Sequence, residues 1–352
     1  MMFNRLDRYI ARNVLMGMLI VHLIILGLDF TISFINDLGD TEGNYGTLQV
    51  LMYGVIRLPW RFYQYAPVSV LIGSLVGLGA MASSNELTVM RSAGFSLWRI
   101  LIGVMKPLLV VVLVVMAIGE FAAPRTEMFG QAWRTELQEG NAISRRGGWQ
   151  REGDSFYRFG SIRSDNTLLD VNRFRYDEGR LVEATHATRA VLEDDEWTLE
   201  NVDRTLISED ATQSEHLDRL AWDTSLDPEL LRLIITDRNS QSIEDLWRYG
   251  SYLNAQGISA TDTWLYFWQK VLLPLTLISL VIIAASFIFG PLRSVAAGTR
   301  VFYGTVVGLI FKYVQDLLGP AATIFGFSPI WAIVVPMSVC FALGFWLLRR
   351  AG

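Results

Sequence analysis

Seven ionisable residues lie inside or beside strongly apolar runs: His22, Asp29, Lys106, Glu120, Lys270, Lys312 and Asp316. Ionisable groups at bilayer depth are costly and mark proton relays, ion paths or internal pairs. A relay needs partners in series, and the spacing offers none. Lys312 and Asp316 are four apart on one helical face, where they neutralise each other. Lys106 and Lys270 fall near the ends of their runs, where a lysine stem can snorkel to water. Asp29 and Glu120 both lie towards the outer halves of theirs. A second set, Arg57, Arg61, Arg125 and Arg134, suits phosphate, because the planar guanidinium binds two oxygens at once. An anionic lipid headgroup would supply such oxygens. The competing reading pairs these arginines with Asp37, Asp40, Glu42 or the acids beyond residue 125.

The familiar catalytic patterns are missing. The only lysines are Lys106, Lys270 and Lys312, and none closes a GxxxxGK[ST] phosphate loop, so the chain is expected to hydrolyse no ATP by that route. There is no GxSxG elbow, no GxGxxG turn, no HExxH and no CxxC. Cys340 is the single cysteine, and His22, His186 and His216 are far apart, so neither a disulfide framework nor a zinc site is expected.

These residues sit in a chain of 352 residues, 51% apolar and only 18% charged. The charge is divided unevenly. Residues 125–263 hold 16 Lys+Arg against 27 Asp+Glu, a net of −11, and the remainder has 14 against 8, a net of +6. An apolar, mildly basic frame therefore surrounds an acidic insert. This excludes a single soluble enzyme domain and a disordered chain. The acidity of the only large polar region also argues against nucleic-acid binding.

Six stretches are long and apolar enough to cross a bilayer: about 13–36, 65–83, 101–122, 264–289, 301–318 and 329–348. The segment 47–62 reads as an interfacial helix interrupted at Pro59. Arg5, Arg8 and Arg12, then Arg91 and Arg99, Arg293 and Arg300, and Arg349 and Arg350 all fall on one side of a six-span path. The positive-inside bias makes that side cytoplasmic, with both termini there and the insert outside. Arg57 and Arg61 are the exceptions. The expected fold is an α-helical membrane protein with six transmembrane helices and an inserted all-β domain. Its divisions are 1–124, 125–262 and 263–352.

Within the insert, Ser155–Ile162, Leu168–Tyr176, Arg180–Leu192, Glu196–Ile207 and Glu215–Trp222 tend to alternate, with turn residues at Asp177-Glu178-Gly179 and an acidic break at Glu193–Glu196. This predicts an antiparallel meander, a sandwich or a jelly roll. Residues 240–258 read as an amphipathic helix, with Ser242 and Asp245 in a capping-box arrangement.

Two segments between spans stand out. Ser84–Phe95 predicts a short surface helix, capped by Ser84 or Asn85 and ended by Gly94 in a left-handed conformation. Leu87, Met90 and Phe95 would share a face, with Glu86 and Arg91 as charged contacts. Such a helix is a knob for a cytoplasmic socket, or simply a chain reversal. Phe287–Ser294 stops a helix at Gly290-Pro291 and anchors it with Arg293.

Leu6-Asp7-Arg8-Tyr9-Ile10, Asn85–Gly94, Gly119-Glu120 with Ala123-Pro124, Ser286–Ser294, Gln315–Pro320 and Trp346–Arg350 resemble the LptF/LptG permease family, nearest its LptG branch. The likeness runs from the first span to the last residues and is weakest in the insert. It implies a subunit of the lipopolysaccharide-transport ABC system of a bacterial inner membrane, with residues 125–262 a periplasmic β-jelly roll. Implied partners are the LptF permease subunit, an LptB ATPase dimer, LptC and, through the bridge, LptA. No cofactor is implied for this chain, and ATP and Mg belong to the partner ATPase. The family's coupling helix falls on about 84–97, with contacts at Glu86, Leu87, Met90, Arg91, Gly94 and Phe95. Lysines that members of the family often carry near the outer end of the first span are absent here, and the acids Asp37 and Asp40 stand nearby. Lipopolysaccharide phosphate contacts would then fall to Arg57, Arg61 and Arg134, or to LptF, or to metal ions bridging acid to phosphate, and acyl-chain contacts in the cavity to Phe30, Phe34 and Phe302. Rival readings are an ion-coupled secondary transporter and a mechanical signalling permease.

Overall fold

The computed structural model describes residues 5–41, 44–139, 149–162, 167–193, 196–208, 210–224, 233, 237–290 and 295–351. The motif residues Pro291–Ser294, with the anchor Arg293, lie outside the described residues, as do Glu42 and the centre of the acidic break, Asp194-Asp195. The chain divides into two compact units. One holds residues 1–36, 54–126 and 261–352, and the other residues 37–53 and 127–260.

The first unit is helical. Helix α1 (Arg5–Leu38) covers the first expected span and runs past it at both ends. Helix α2 (Thr47–Ile56) is separated from α3 (Leu58–Ser83) at Arg57, and Pro59 falls in the first turn of α3. There its missing N–H costs nothing. Pro59 thus opens the second span rather than interrupting a helix. Helices α1 and α3 approach backbone to backbone. A Cβ on Gly73 would lie 2.3 Å from Met18 Cα, and one on Gly77 2.8 Å from Val14 Cα. Spaced small residues allow such contact between apolar helices.

After the short helix α4 (Glu86–Ser92), α5 (Leu97–Ala117) passes through a π turn, Ile118–Ala122, into α6 (Ala123–Glu139). Pro124 has no N–H to donate to the preceding turn, and the π turn takes up the mismatch without ending the helix. The fourth expected span is bent by 59° between Thr261–Val271 and Leu273–Phe289. Pro274 follows the bend, as a helix restart favours. Helices Ala297–Phe325 and Ile330–Ala351 cover the last two expected spans. Among the described residues, four single helices are long and apolar enough to cross a membrane, and the bent pair makes a fifth.

The second unit contains an antiparallel sheet. Its strands are β1 (Trp149–Glu152), β2 (Ser155–Arg158), β3 (Ser161–Ile162), β4 (Leu168–Asp177), β5 (Arg180–Glu193), β6 (Glu196–Ile207) and β7 (Thr212–Trp222). Six run as a meander, β1-β2-β4-β5-β6-β7, with β3 beside β4. The first expected strand is split at Phe159-Gly160, where Gly160 N–H reaches back to the carbonyls of Leu169 and Asp170. Asp177 pairs with Arg180 across Glu178 and Gly179, whose φ angles are 46° and 81°. Two positive φ values make the tight hairpin turn that matches strand twist. Tyr157, Phe159, Val171, Trp197, Val202 and Trp222 pack one face. Helix Ile243–Ala255 has a complete capping box: Ser242 Oγ accepts from Asp245 N–H at 3.1 Å, and Asp245 Oδ2 accepts from Ser242 N–H at 3.3 Å. Aspartate therefore serves where glutamate is usual.

Candidate functional site

Helix α4 is shorter than the expected 84–97. It ends at Ser92, and Leu97 already belongs to α5, whose N-cap Ser96 accepts from Arg99 N–H. Its start differs from expectation: Asn85 takes a left-handed conformation, φ 62°, and makes no side-chain cap. Its end is as the sequence predicts. Gly94 has φ 90°, Phe95 N–H reaches Met90 O and Gly94 N–H reaches Arg91 O, a Schellman closure.

Glu86 accepts a 2.9 Å hydrogen bond from the Tyr9 hydroxyl of α1. Leu87 is buried and Met90 packs against the same helical core, so these two anchor the helix. Its exposed apolar side chain is Val89, joined by Phe95 beyond the C-terminus. The exposure of Val89 has no sequence signal, because a single valine between anchors carries no period. Arg91 is half-buried.

The arginines are engaged. Arg61 pairs with Asp29 of α1, and the Tyr65 hydroxyl, one turn along α3, donates to the same carboxylate. Arg134 donates to Asp40 at 2.8 Å and to Asp37 at 3.5 Å, and its guanidinium lies 5.5 Å and 5.2 Å from the rings of Tyr45 and Tyr53. Burial pushes the Tyr45 hydroxyl up to about 12, so it stays neutral. Asp40 is 60% exposed and Asp37 only 20%. Arg57 is half-buried at the α2–α3 break, and Arg125 is exposed. The aromatic phenylalanines are dispersed. Phe30 lies against Gly54, where a Cβ would come within 2.8 Å of its ring, and Phe34 is half-buried. Phe302 is 63% exposed, edge-on to Tyr303.

Several other charges of the helical unit are held in separate local contacts. Lys312 meets Asp316 at 3.0 Å, as the i, i+4 spacing predicts. Lys106 and Arg99 both bind Asp7, which is 1% exposed. Lys270 corrects the snorkelling expectation. It is 4% exposed and donates to Gly119 O at 2.9 Å, a carbonyl of the π turn, with Tyr63 beneath its ammonium at 5.1 Å. Among the described residues no cluster of three or more His, Cys, Asp or Glu could hold a metal ion.

Long apolar helices with an antiparallel sheet inserted between the third and fourth make this a multi-span membrane protein rather than a soluble one. Residues 8–350 match the model of the lipopolysaccharide export system permease LptF/LptG. The chain is similar to the lipopolysaccharide export system permease protein LptG of Haemophilus influenzae, 33% identical over 99% of both chains, and to that of Escherichia coli K12, 30% identical over 99% of both. It belongs to the LptF/LptG family of lipopolysaccharide export permeases.

Proposed function

We propose that the chain is one permease half of an ABC transporter that extracts lipopolysaccharide from a bacterial inner membrane and hands it to a periplasmic bridge. The observation that carries this reading is the chain-long match to export permeases, which spans both the helices and the inserted sheet. The companion half is LptF, the motor an LptB dimer using ATP and Mg, and the receivers LptC and LptA. This chain contributes no catalytic residue. The four long helices, the bent pair and Ala297–Phe325 supply the six crossings, with both termini cytoplasmic. The insert, about 125–262, is the periplasmic acceptor, its sheet working as a jelly-roll-like trough.

Helix α4 acts as the coupling helix. Leu87 and Met90 hold it to the core, while Glu86, Arg91, Val89 and Phe95 meet the ATPase. Lipid phosphate is taken by Arg134, with Arg57 and Arg61, and it reaches Arg134 by displacing Asp40, the more exposed of its two carboxylates. Phe30, Phe34 and Phe302 face acyl chains. The test is a mild-detergent purification of the tagged chain from its native membrane, with proteins and lipids analysed together. Recovery of a small cytoplasmic ATPase, a second permease and lipopolysaccharide is expected. A folded chain recovered alone and lipid-free would overturn the reading and favour an ion-coupled transporter.

A further inference from the structure

His22 lies midway along α1 and is 6% exposed. Its Nδ1 is 2.8 Å from Ser69 Oγ, and its ring stands edge-on to Phe62 at 4.2 Å. Its Nε2 is buried with no hydrogen-bond partner. The imidazole forms part of the wall of a cavity of about 240 Å³ between α1, α3 and α5, otherwise lined by apolar side chains such as Met18, Leu19, Ala66 and Val115, with Ser69. Leu19 and Met16 form its rim and are half-exposed on the apolar surface of α1. The cavity therefore borders the exposed apolar surface of α1.

An imidazole nitrogen left unpaired in hydrocarbon forfeits a hydrogen bond that no water can replace. In either neutral tautomer one ring nitrogen donates and the other accepts, and the Ser69 bond occupies one of them. The free nitrogen needs a neutral partner delivered by an apolar molecule. A hydroxyl meets this need whichever tautomer is present, since it both donates and accepts. The volume falls below the range of about 300–1,000 Å³ for drug-sized ligands, so it suits a segment of chain rather than a compact molecule.

We infer that the His22 cavity is a binding site for a hydroxyl-bearing aliphatic chain, entering from the bilayer between Met16 and Leu19 and hydrogen-bonded through its hydroxyl to His22 Nε2. The contact needs no charge on either partner. It is separate from the arginines assigned to phosphate and does not depend on that assignment. The Nε2 atom is covered in this state, so entry requires one lining side chain to turn aside.

The chain has only three histidines, so the site is readable in the complex when this chain alone carries the label and is assembled with unlabelled partners. The complex, carrying ¹⁵N-labelled histidine, is placed in nanodiscs of dioleoylphosphatidylcholine and titrated with 7-tetradecanol or, as the matched control, tetradecane. Expected results are an alcohol-specific shift of the His22 ring nitrogens, with His186 and His216 unmoved, and about a five- to tenfold preference for the alcohol, the size of one net hydrogen bond. His22→Phe, which fills the site without a polar atom, removes the preference. Equal binding of alcohol and alkane, or an unmoved His22 signal at saturation, overturns the inference. The wild-type titration stands even if His22→Phe does not assemble. ATP turnover distinguishes the natural source. A site emptied by turnover, with loss of the hydroxyl-dependent shift, takes its chain from the transported lipid, and one that stays filled takes it from resident bilayer lipid.

Discussion

Replacing Glu183 by glutamine should loosen the sheet at one definable place. Glu183 lies on β5, is 1% exposed, and receives Arg173 at 2.6 Å, Arg175 at 2.8 Å and Arg204 at 3.1 Å, with the Thr185 hydroxyl at 3.1 Å. Breaking a buried ion pair by removing one partner costs about 3–5 kcal/mol, because the other charge is left uncompensated. Three arginines do not triple that cost. Arg175 is half-exposed and turns to water, and Arg204 keeps Glu215 at 3.4 Å. Arg173, only 17% exposed and with its Nε already unpartnered, carries most of the loss. The expected cost is therefore about 2–3 kcal/mol. At about 1.4 kcal/mol per decade, amide exchange in β4, β5 and β6 of the intact protein should quicken about 30- to 150-fold. The wild type should show the same weakness in acid. Burial works to raise the Glu183 pKa, but the hydrogen bonds and charges of Arg173 and Arg204 outweigh it and hold it below its ordinary 4.5. A carboxyl with a depressed folded pKa contributes stability that is complete above its unfolded value and lost as pH falls through the folded one. Protection should thus be flat above pH 4.5 and decline below it, and the decline should be shallower in Glu183→Gln, where only Glu200, held low by Arg189 and Arg219, still contributes. Exchange within threefold of wild type in the variant would refute the argument.

Gly73→Leu should separate α1 from α3, since its Cβ would meet Met18 Cα at 2.3 Å and backbone cannot give as a side chain can. Overpacking costs about 1–3 kcal/mol even where side chains adjust, so a sharp fall in recovered complex is expected, and normal assembly would count against the close approach. Lys270→Met keeps the volume but strips the donor from Gly119 O. A buried carbonyl left without its partner costs about 1–3 kcal/mol, to be read as faster exchange over residues 118–123. Asp7→Asn leaves Arg99 and Lys106 without their shared carboxylate; both are about one-third exposed and can recover water, so a drop of only about 1–2 kcal/mol in thermal stability is expected. A larger loss would mean that the two cations are more enclosed than their exposure indicates.

Features governed by a local period or a local turn were legible in the sequence. The apolar runs 13–36 and 65–83 each fall within one helix, and 329–348 does so from its second residue, because about 20 apolar residues in succession have no other stable conformation in a bilayer. The strands were bounded by their turns, and the Glu178-Gly179 hairpin and the Ser242–Asp245 cap follow from residues two to four apart. Contacts between helices carry no such signal. Asp29 and Arg61 are 32 residues apart, and Lys270 and Gly119 are 151 apart. From sequence, Lys270 looked like a lysine near a helix end. It is instead the donor for a carbonyl that the π turn before Pro124 leaves without its regular helical partner. The π turn itself could be suspected only from a proline that failed to end an apolar run.

The same distinction explains why the class of this protein was easier to reach than its binding residues. Hydropathy and the acidic insert are sums over many residues and survive any single misplacement. A phosphate or acyl-chain contact depends on where one guanidinium or one ring ends up after packing. Arg134 illustrates the point. As a residue type it suits phosphate, but Asp37, Asp40, Tyr45 and Tyr53 already hold it from four directions, so any anion it binds must be worth more than the carboxylate it displaces. Exchange of that kind favours a doubly charged phosphate over a singly charged carboxylate. Asp37 and Asp40 thus set a threshold of charge at Arg134, one that an ordinary carboxylate does not cross.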